Sequence, residues 1–301
     1  MAEFAFETVD VFTDTRFGGN PLAVFPDATG LTDAQMQAIA REFNFAETTF
    51  VLPPADPAHT ARVRIFTPAH EMPFAGHPNV GTGFVLASRE KTLGDTLIFE
   101  EIAGLVQVRI QRTGPDVTGA EIDAPLSLTL ADTVPGETVA ACLGLGEDDV
   151  REETHAPVVA SVGVPFVLAE LSSRAALARI EPDIAAFREA ARAFPDLGGR
   201  FSLFLYVRDE SEPLRLHARM FGPLLGVPED PATGSANATL AALLTSLAPG
   251  EDVSLAFDVT QGEDMGRPSR ILASARKTAA GEVFASVAGG CVPVTRGTLT
   301  V

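Results

Sequence analysis

The sequence predicts an α+β protein built as two pseudo-symmetric halves, each a mixed β-sheet wrapped around a central helix. Three observations carry that prediction. Short segments of alternating apolar residues dominate, and each half has one long helical segment among them. Three motifs also recur in the same order. Gly19-Asn20-Pro21-Leu22-Ala23-Val24 is echoed by Gly163-Val164-Pro165-Phe166-Val167-Leu168, and Arg64-Ile65-Phe66-Thr67-Pro68 by Arg219-Met220-Phe221-Gly222-Pro223. Pro73-Phe74-Ala75-Gly76-His77-Pro78-Asn79 is echoed by Pro231-Ala232-Thr233-Gly234-Ser235-Ala236-Asn237. Each echo alone is weak, but three in one order indicate an internal duplication. Finally, 301 residues are long for one core and suit two domains of about 150 residues each.

In chain order, Phe4, Phe6 and Thr8 alternate with charged or small residues and predict a strand over residues 3–12. Gly18-Gly19-Asn20 is turn chemistry, and Pro21 to Phe25 form a second strand. Thr32-Asp33-Ala34-Gln35 is a capping box, and Met36, Ile39, Ala40 and Phe43 follow at helical spacing. The β-branched and aromatic run from Asn44 to Leu52 has a lone acid, Glu47, near its entrance. Ala61, Val63 and Ile65 alternate along a strand that leads into the Pro73 motif, and a helix after His77 turns Val80, Phe84 and Ala87 to the core. Pro78 suits the first helical position. Strands at 96–100 and 104–111 follow, the second with Val106, Val108 and Ile110 on one face, and Arg112 to Asp116 form a turn.

The boundary is expected just beyond that turn, giving halves of 1–118 and 119–289. Helices are predicted over Val139 to Leu143 and over Ala175 to Phe194, the latter interrupted at Pro182. Leu203, Leu205 and Val207 mark one strand, and Leu214, Leu216, Ala218 and Met220 the next. A helix from Ser235 through Leu240, Leu243, Leu244 and Leu247 precedes strands at 253–260, 269–276 and 282–288, which end at Gly289-Gly290. The closing run, within 290–301, has room for one strand that can join either half.

Composition narrows the classes of function. Hydrophobic residues make up 46%, enough for two cores, while 22 basic against 40 acidic side chains leave a formal charge of -18. That balance argues against a nucleic-acid partner, because phosphate backbones are held by a basic footprint. There is no run of about 18 apolar residues, and the N-terminus carries Glu3, Glu7 and Asp10 instead of a basic, apolar leader. A cytoplasmic protein with no membrane partner is expected. Cys142 and Cys291 match no disulfide framework or metal spacing and read as buried small hydrophobes. Racemisation by two thiols would need a cysteine in each half, and the equivalent motif positions hold Ala75 and Thr233.

The candidate chemistry gathers at the two repeated motifs. Ser235 is placed to cap a helix, whose free amides and positive dipole end then lie beside Asp230. The helix beginning at His77 repeats the arrangement. Both helix ends are expected to face one cleft between the halves, where they can hold an anion without Arg or Lys. Glu47, His77, Asp230 and Ser235 are placed in that cleft. A carboxylate such as Glu47 in a closed, water-poor site has its pKa raised, which lets a general base return the proton it takes.

Taken together, these motifs resemble the signature set of the phenazine-biosynthesis PhzF-like family. The matching stretches are Gly19 to Val24, Ala46-Glu47-Thr48-Thr49-Phe50, Phe66-Thr67-Pro68, Pro73 to Pro78 and Glu229 to Ala236. Gln261-Gly262 and Gly266-Arg267-Pro268-Ser269 add to them, and the match spans essentially the whole chain in order. The resemblance implies a diaminopimelate-epimerase-like fold, no cofactor, no metal and a homodimer. It also implies a small-molecule carboxylate substrate and an isomerase reaction like that on trans-2,3-dihydro-3-hydroxyanthranilate. By the same resemblance Glu47 is the general acid/base, with His77, Asp230 and Ser235 as catalytic partners. Gly76, Gly234, Ser235 and His77 are then substrate-binding. One departure is Ala46, where a serine often precedes the Glu.

Bland and rival readings stand beside these. Glu47 as a surface acid, Asp230 and Ser235 as plain helix caps, and His77 as a helix-start residue are each compatible with the residues alone. His59, His70, His155 and His217 have no partner at metal spacing, and His70-Glu71 with His77 is not a His-Glu-x-x-His zinc motif. A Ser235/His77/Asp230 hydrolase has the right residue types but lacks a Gly-x-Ser-x-Gly elbow. A non-catalytic small-carboxylate-binding protein would use the same anion-holding amides.

Overall fold

The computed structural model describes residues 2–301 and is a mixed-sheet α+β fold, as the alternation of strands and helices predicts. The chain parts into two units. One comprises the residues up to Pro125 together with Ser286–Val301, and the other is Leu126–Ala285.

The first unit contains β1 (Glu3–Val11), β2 (Asn20–Phe25), α1 (Asp33–Phe43), β3 (Glu47–Leu52), β4 (Ala61–Phe66) and the two-residue β5 (Glu71–Met72). It continues with α2 (Gly76–Arg89), β6 (Thr96–Glu101), β7 (Gly104–Thr113) and β8 (Asp116–Asp123). β1 pairs antiparallel with β2, β2 parallel with β3, β3 antiparallel with β4, β4 parallel with β6, and β6, β7 and β8 antiparallel in turn. The capping box is present: Gln35 N–H donates to Thr32 Oγ1, and Thr32 N–H to Gln35 Oε1. Met36, Ile39 and Ala40 of α1 pack on Phe25, Phe50 and Phe66, whose rings stack or meet edge-on.

Eleven of the fourteen residues of α2 are buried, so the helix has no solvent face. Glycine makes that possible: a Cβ at Gly81 would lie 2.6 Å from Leu22 and one at Gly83 2.6 Å from Val108. The backbone of the helix therefore rests directly on the strands.

The second unit contains β9 (Thr129–Thr133), α3 (Gly136–Leu143), β10 (Val150–Arg151), β11 (Val158–Ser161) and β12 (Pro165–Leu171). After these come α4 (Arg174–Ala178), α5 (Ile184–Ala193), β13 (Leu203–Arg208), β14 (Arg215–Gly222) and β15 (Val227–Asp230). α6 (Gly234–Leu247), β16 (Val253–Gln261) and β17 (Ser269–Lys277) complete it. The pairing β12–β13 parallel, β13–β14 antiparallel, β14–β16 parallel and β16–β17 antiparallel repeats the order of β2, β3, β4, β6 and β7. α6 is buried nearly all round, this time with Ala236, Ala238, Ala241 and Ala242 among leucines. A separate apolar cluster under α3 and α5 includes Phe187, Phe201 and Phe221.

Two details differ from the sequence reading. Residues 112–116 are not a turn throughout: β7 runs to Thr113, β8 starts at Asp116, and only Gly114-Pro115 reverse the chain. Cross-strand pairing of Arg112 with Val117 and Thr113 with Asp116 carries the ladder up to the two-residue turn. The chain also does not break at Gly289-Gly290, because one strand, β18 (Val283–Thr300), passes through it. There the missing side chains let backbones close up: a Cβ at Gly119 would stand 2.1 Å from the Gly289 carbonyl oxygen. Ser286 to Gly290 pair with β8 and Cys291 to Thr300 with β1, so the closing strand joins the first unit and completes its ring of strands.

Candidate active site

Glu47 opens β3, directly beside Leu22 of the parallel β2. His77 is the second residue of α2, after Ala75, whose extended backbone ends the preceding segment. The two side chains meet, with His77 Nε2 3.4 Å from Glu47 Oε2, at side-chain exposures of 6% and 17%. Burial pushes the His77 imidazole down to about 3, so the ring is neutral at neutral pH. The contact is thus between a carboxyl group and a neutral imidazole, and it is longer than a good hydrogen bond. A buried hydroxyl pair, Thr49 and Thr82 at 2.8 Å, fastens β3 to α2 and fixes the approach.

In the second unit Asp230 ends β15 and Thr233 precedes α6. Thr233 Oγ1 donates to Asp230 Oδ2 at 2.5 Å. Gln261, at the end of β16, knits the segment together. Its Nε2 donates to Asp230 O (2.8 Å) and Thr233 Oγ1 (3.1 Å), and its Oε1 accepts from Thr233 N–H (3.2 Å) and Asn237 Nδ2 (2.9 Å). All four residues are buried.

Ser235 is not the N-cap. α6 starts one residue earlier, Thr233 holds the cap position, and no side chain caps the helix. The Thr233 hydroxyl donates to the Asp230 carboxyl and accepts from Gln261 Nε2, so tertiary partners, not first-turn amides, hold it. Pro78 likewise occupies the third, not the first, position of α2, where a missing N–H still costs no intrahelical bond. Gly76 and Gly234 each open their helix, so their amides are among those with no intrahelical acceptor.

The sequence reading missed the supporting residues. Asn79 Nδ2 donates to Ala75 O at 3.0 Å, and Asn237 Nδ2 to Thr233 O at 2.9 Å, so each motif asparagine ties down the carbonyl before its helix. Their signal was present as the shared last letter of Pro-x-x-Gly-x-x-Asn. The echoed arginines are also structural. Arg64 forks onto Glu71 (2.7 and 2.7 Å) over the ring of Phe66, and Arg219 onto Glu229 (2.7 and 2.9 Å) over Phe221.

A family model described as phenazine biosynthesis-like protein matches residues 9–297. The chain belongs to this family. Among the family's curated members, an uncharacterized isomerase of Mesorhizobium japonicum is 39% identical over 97% of both chains. The trans-2,3-dihydro-3-hydroxyanthranilate isomerase of Pseudomonas aeruginosa is 36% identical over 94% of this chain and 93% of its own. A solved phenazine biosynthesis protein of the PhzF family from Bacillus anthracis superimposes with a TM-score of 0.88 at 25% identity, covering all of both chains. The chain is accordingly an isomerase.

In this family member both cysteines are buried thiols, Cys142 pushed up to about 12 and Cys291 higher still by loss of solvent. Neither can supply a thiolate at neutral pH. His59 pairs with Glu100, His155 with Tyr206, and His217 lies 3.5 Å from Glu263. Among the described residues no helix is long and apolar enough to cross a membrane.

Proposed function

We propose that the protein isomerises a small carboxylate by moving a proton between two of its carbons, with Glu47 as the general acid/base. The observation that carries this is the contact of Glu47 with a His77 held neutral by burial. A cationic imidazole would hold Glu47 as a carboxylate too stable to keep a carbon-derived proton, whereas a neutral ring orients the carboxyl without that charge. In the proposed step a C–H proton passes to a Glu47 oxygen and the released electron pair shifts the substrate's double bond. The same proton, or one exchanged with solvent, then returns to a second carbon. No electron leaves the substrate.

His77, Asp230 and Ser235 are proposed as catalytic partners. The amides of Gly76, His77, Gly234 and Ser235 are proposed to hold the substrate carboxylate, as helix N-termini do for anions. The two motif-bearing units are read as an internal duplication, divided after Pro125 and Ala285 where the sequence alone put the divisions near 118 and 289. The repeated strand order and the paired Arg64–Glu71 and Arg219–Glu229 forks support that reading. A homodimer and a cytoplasmic location belong to the same reading. By analogy with the Pseudomonas aeruginosa relative, the substrate proposed for test is trans-2,3-dihydro-3-hydroxyanthranilate.

Proton NMR of that compound in D2O tests the reading, with wild type and Glu47→Gln side by side. Conversion by wild type alone, with solvent deuterium in the product, is the expected result. Conversion by both removes Glu47 from its role. If neither acts, this substrate is wrong.

A further inference from the structure

The end of β6 carries a carboxyl group that the reaction above does not use. Both oxygens of Glu101 are shut off from solvent and make no hydrogen bond of good geometry, and the Asn79 side chain lies beside them. Ala103 N–H, in the next turn, donates to Pro73 O at 3.0 Å and ties this corner to the repeated motif.

Among the described residues no cation compensates the burial. On the surrounding elements Arg64 is engaged by Glu71 and Asp33, Arg62 acts on Asp33, Arg89 pairs with Glu7, and Arg109 with Glu121 and Asp123. Arg112 pairs with Asp95, Glu100 with His59 and two backbone amides, and His77 is a neutral ring against Glu47. Desolvation pushes the Glu101 carboxyl up to about 8, so it keeps its proton at neutral pH.

The second unit shows what belongs at this position. Glu100 pairs in register with Arg62, which sets Glu101 beside Val63, the residue before Arg64. Gln261 pairs with Ala218, the residue before Arg219. Since Arg64 and Arg219 are the matching fork residues, Glu101 and Gln261 occupy equivalent places, and each lies against its motif asparagine. A carboxamide presents one donor end and one acceptor end, and so does a protonated carboxyl group. An ionised carboxylate can only accept.

We propose that Glu101 is a positioning residue: it braces Asn79 and the first turn of α2, which carries Gly76 and His77, as the Gln261 carboxamide braces the first turn of α6. Its kinetic consequence rests on the functional reading above, while its placement and protonation do not.

The test compares wild type, Glu101→Gln and Glu101→Ala. Infrared difference spectra from about pH 6 to about pH 10 should show a protonated-carboxyl band in wild type that vanishes with a midpoint near 8 and is missing from Glu101→Gln. In the isomerase assay Glu101→Ala should lose kcat by about tenfold or more with KM little changed, the scale of a misplaced reacting group. Wild-type kcat should fall at alkaline pH with a midpoint near 8, and Glu101→Gln should restore most of the loss and abolish that fall. No band in wild type, or a Gln variant as impaired as the Ala variant, overturns the proposal. If wild type turns over no substrate, the functional reading has failed. The band and the exchange of the Gly76 and His77 amides, fast in Glu101→Ala and slow in Glu101→Gln, then still decide the placement.

Discussion

Replacing Gln261 by Leu removes the centre of the second unit's polar knot while nearly preserving side-chain volume, so the cost is one of hydrogen bonding. Four bonds disappear. Thr233 Oγ1 keeps its bond to Asp230 Oδ2, and Asn237 Nδ2 keeps its bond to Thr233 O, so each of these loses only a second contact. The buried Thr233 N–H and the Asp230 carbonyl lose partners they cannot replace with water, at about 1–3 kcal/mol each. The sum is roughly 2–6 kcal/mol, a large part of a typical total stability of about 5–15 kcal/mol. The chain has no tryptophan and a single tyrosine, Tyr206, which is buried in the same unit. Tyrosine fluorescence in a urea titration therefore reports the unfolding of that unit alone, without assuming that the whole chain unfolds in one step. A midpoint that moves by less than the equivalent of about 1 kcal/mol, at unchanged slope, would falsify the argument that this knot holds the Asp230 segment.

Three further outcomes follow from the structure. Between its ordinary value of 4.5 and about 8, the folded protein keeps a proton on Glu101 that the unfolded chain releases, so stability must fall as pH rises through that window. The fall is up to about 1.4 kcal/mol per pH unit, and circular dichroism in urea should show it in wild type and lose it in Glu101→Gln. His77 has the opposite sign: with its value lowered from 6.5 to about 3, its contribution to stability grows as pH rises from about 3 to 6.5. Its ring proton signals should stay fixed from about pH 8 down to about pH 5, and a titration near the ordinary histidine value would show that the ring is not desolvated. Gly119→Ala pushes a methyl group against the Gly289 carbonyl across β8 and β18, and thermal unfolding should register about 1–3 kcal/mol of destabilisation. An unshifted transition would mean that the two strands are not held at that distance.

Much of the fold was legible because its signals are local. The Thr32 capping box, the period-two alternation from Ala61 to Ile65 and the break at Pro182 depend on neighbours a few residues away, and all three appear as expected. Where local and long-range forces disagreed, local reading failed. Gly289-Gly290 looks like the end of a strand, yet β8 and β1 hold the backbone extended across it. Ser235 is a good cap by residue type, but Asp230 and Gln261 hold Thr233 in the cap position and the helix begins a residue sooner.

The candidate site divides the same way. Sequence alone determined the family, the repeated Pro-x-x-Gly-x-x-Asn motif and the choice of Glu47 and His77, because these are patterns of residue type along the chain. Tertiary structure decided that Glu47 and His77 touch, that the imidazole is neutral, and that Gln261 and Glu101 stand behind the two motifs. Those properties arise from desolvation and from hydrogen bonds between residues far apart in sequence. Whether a polar group is buried, and what it meets there, is settled only when the strands are paired and the helices laid on them.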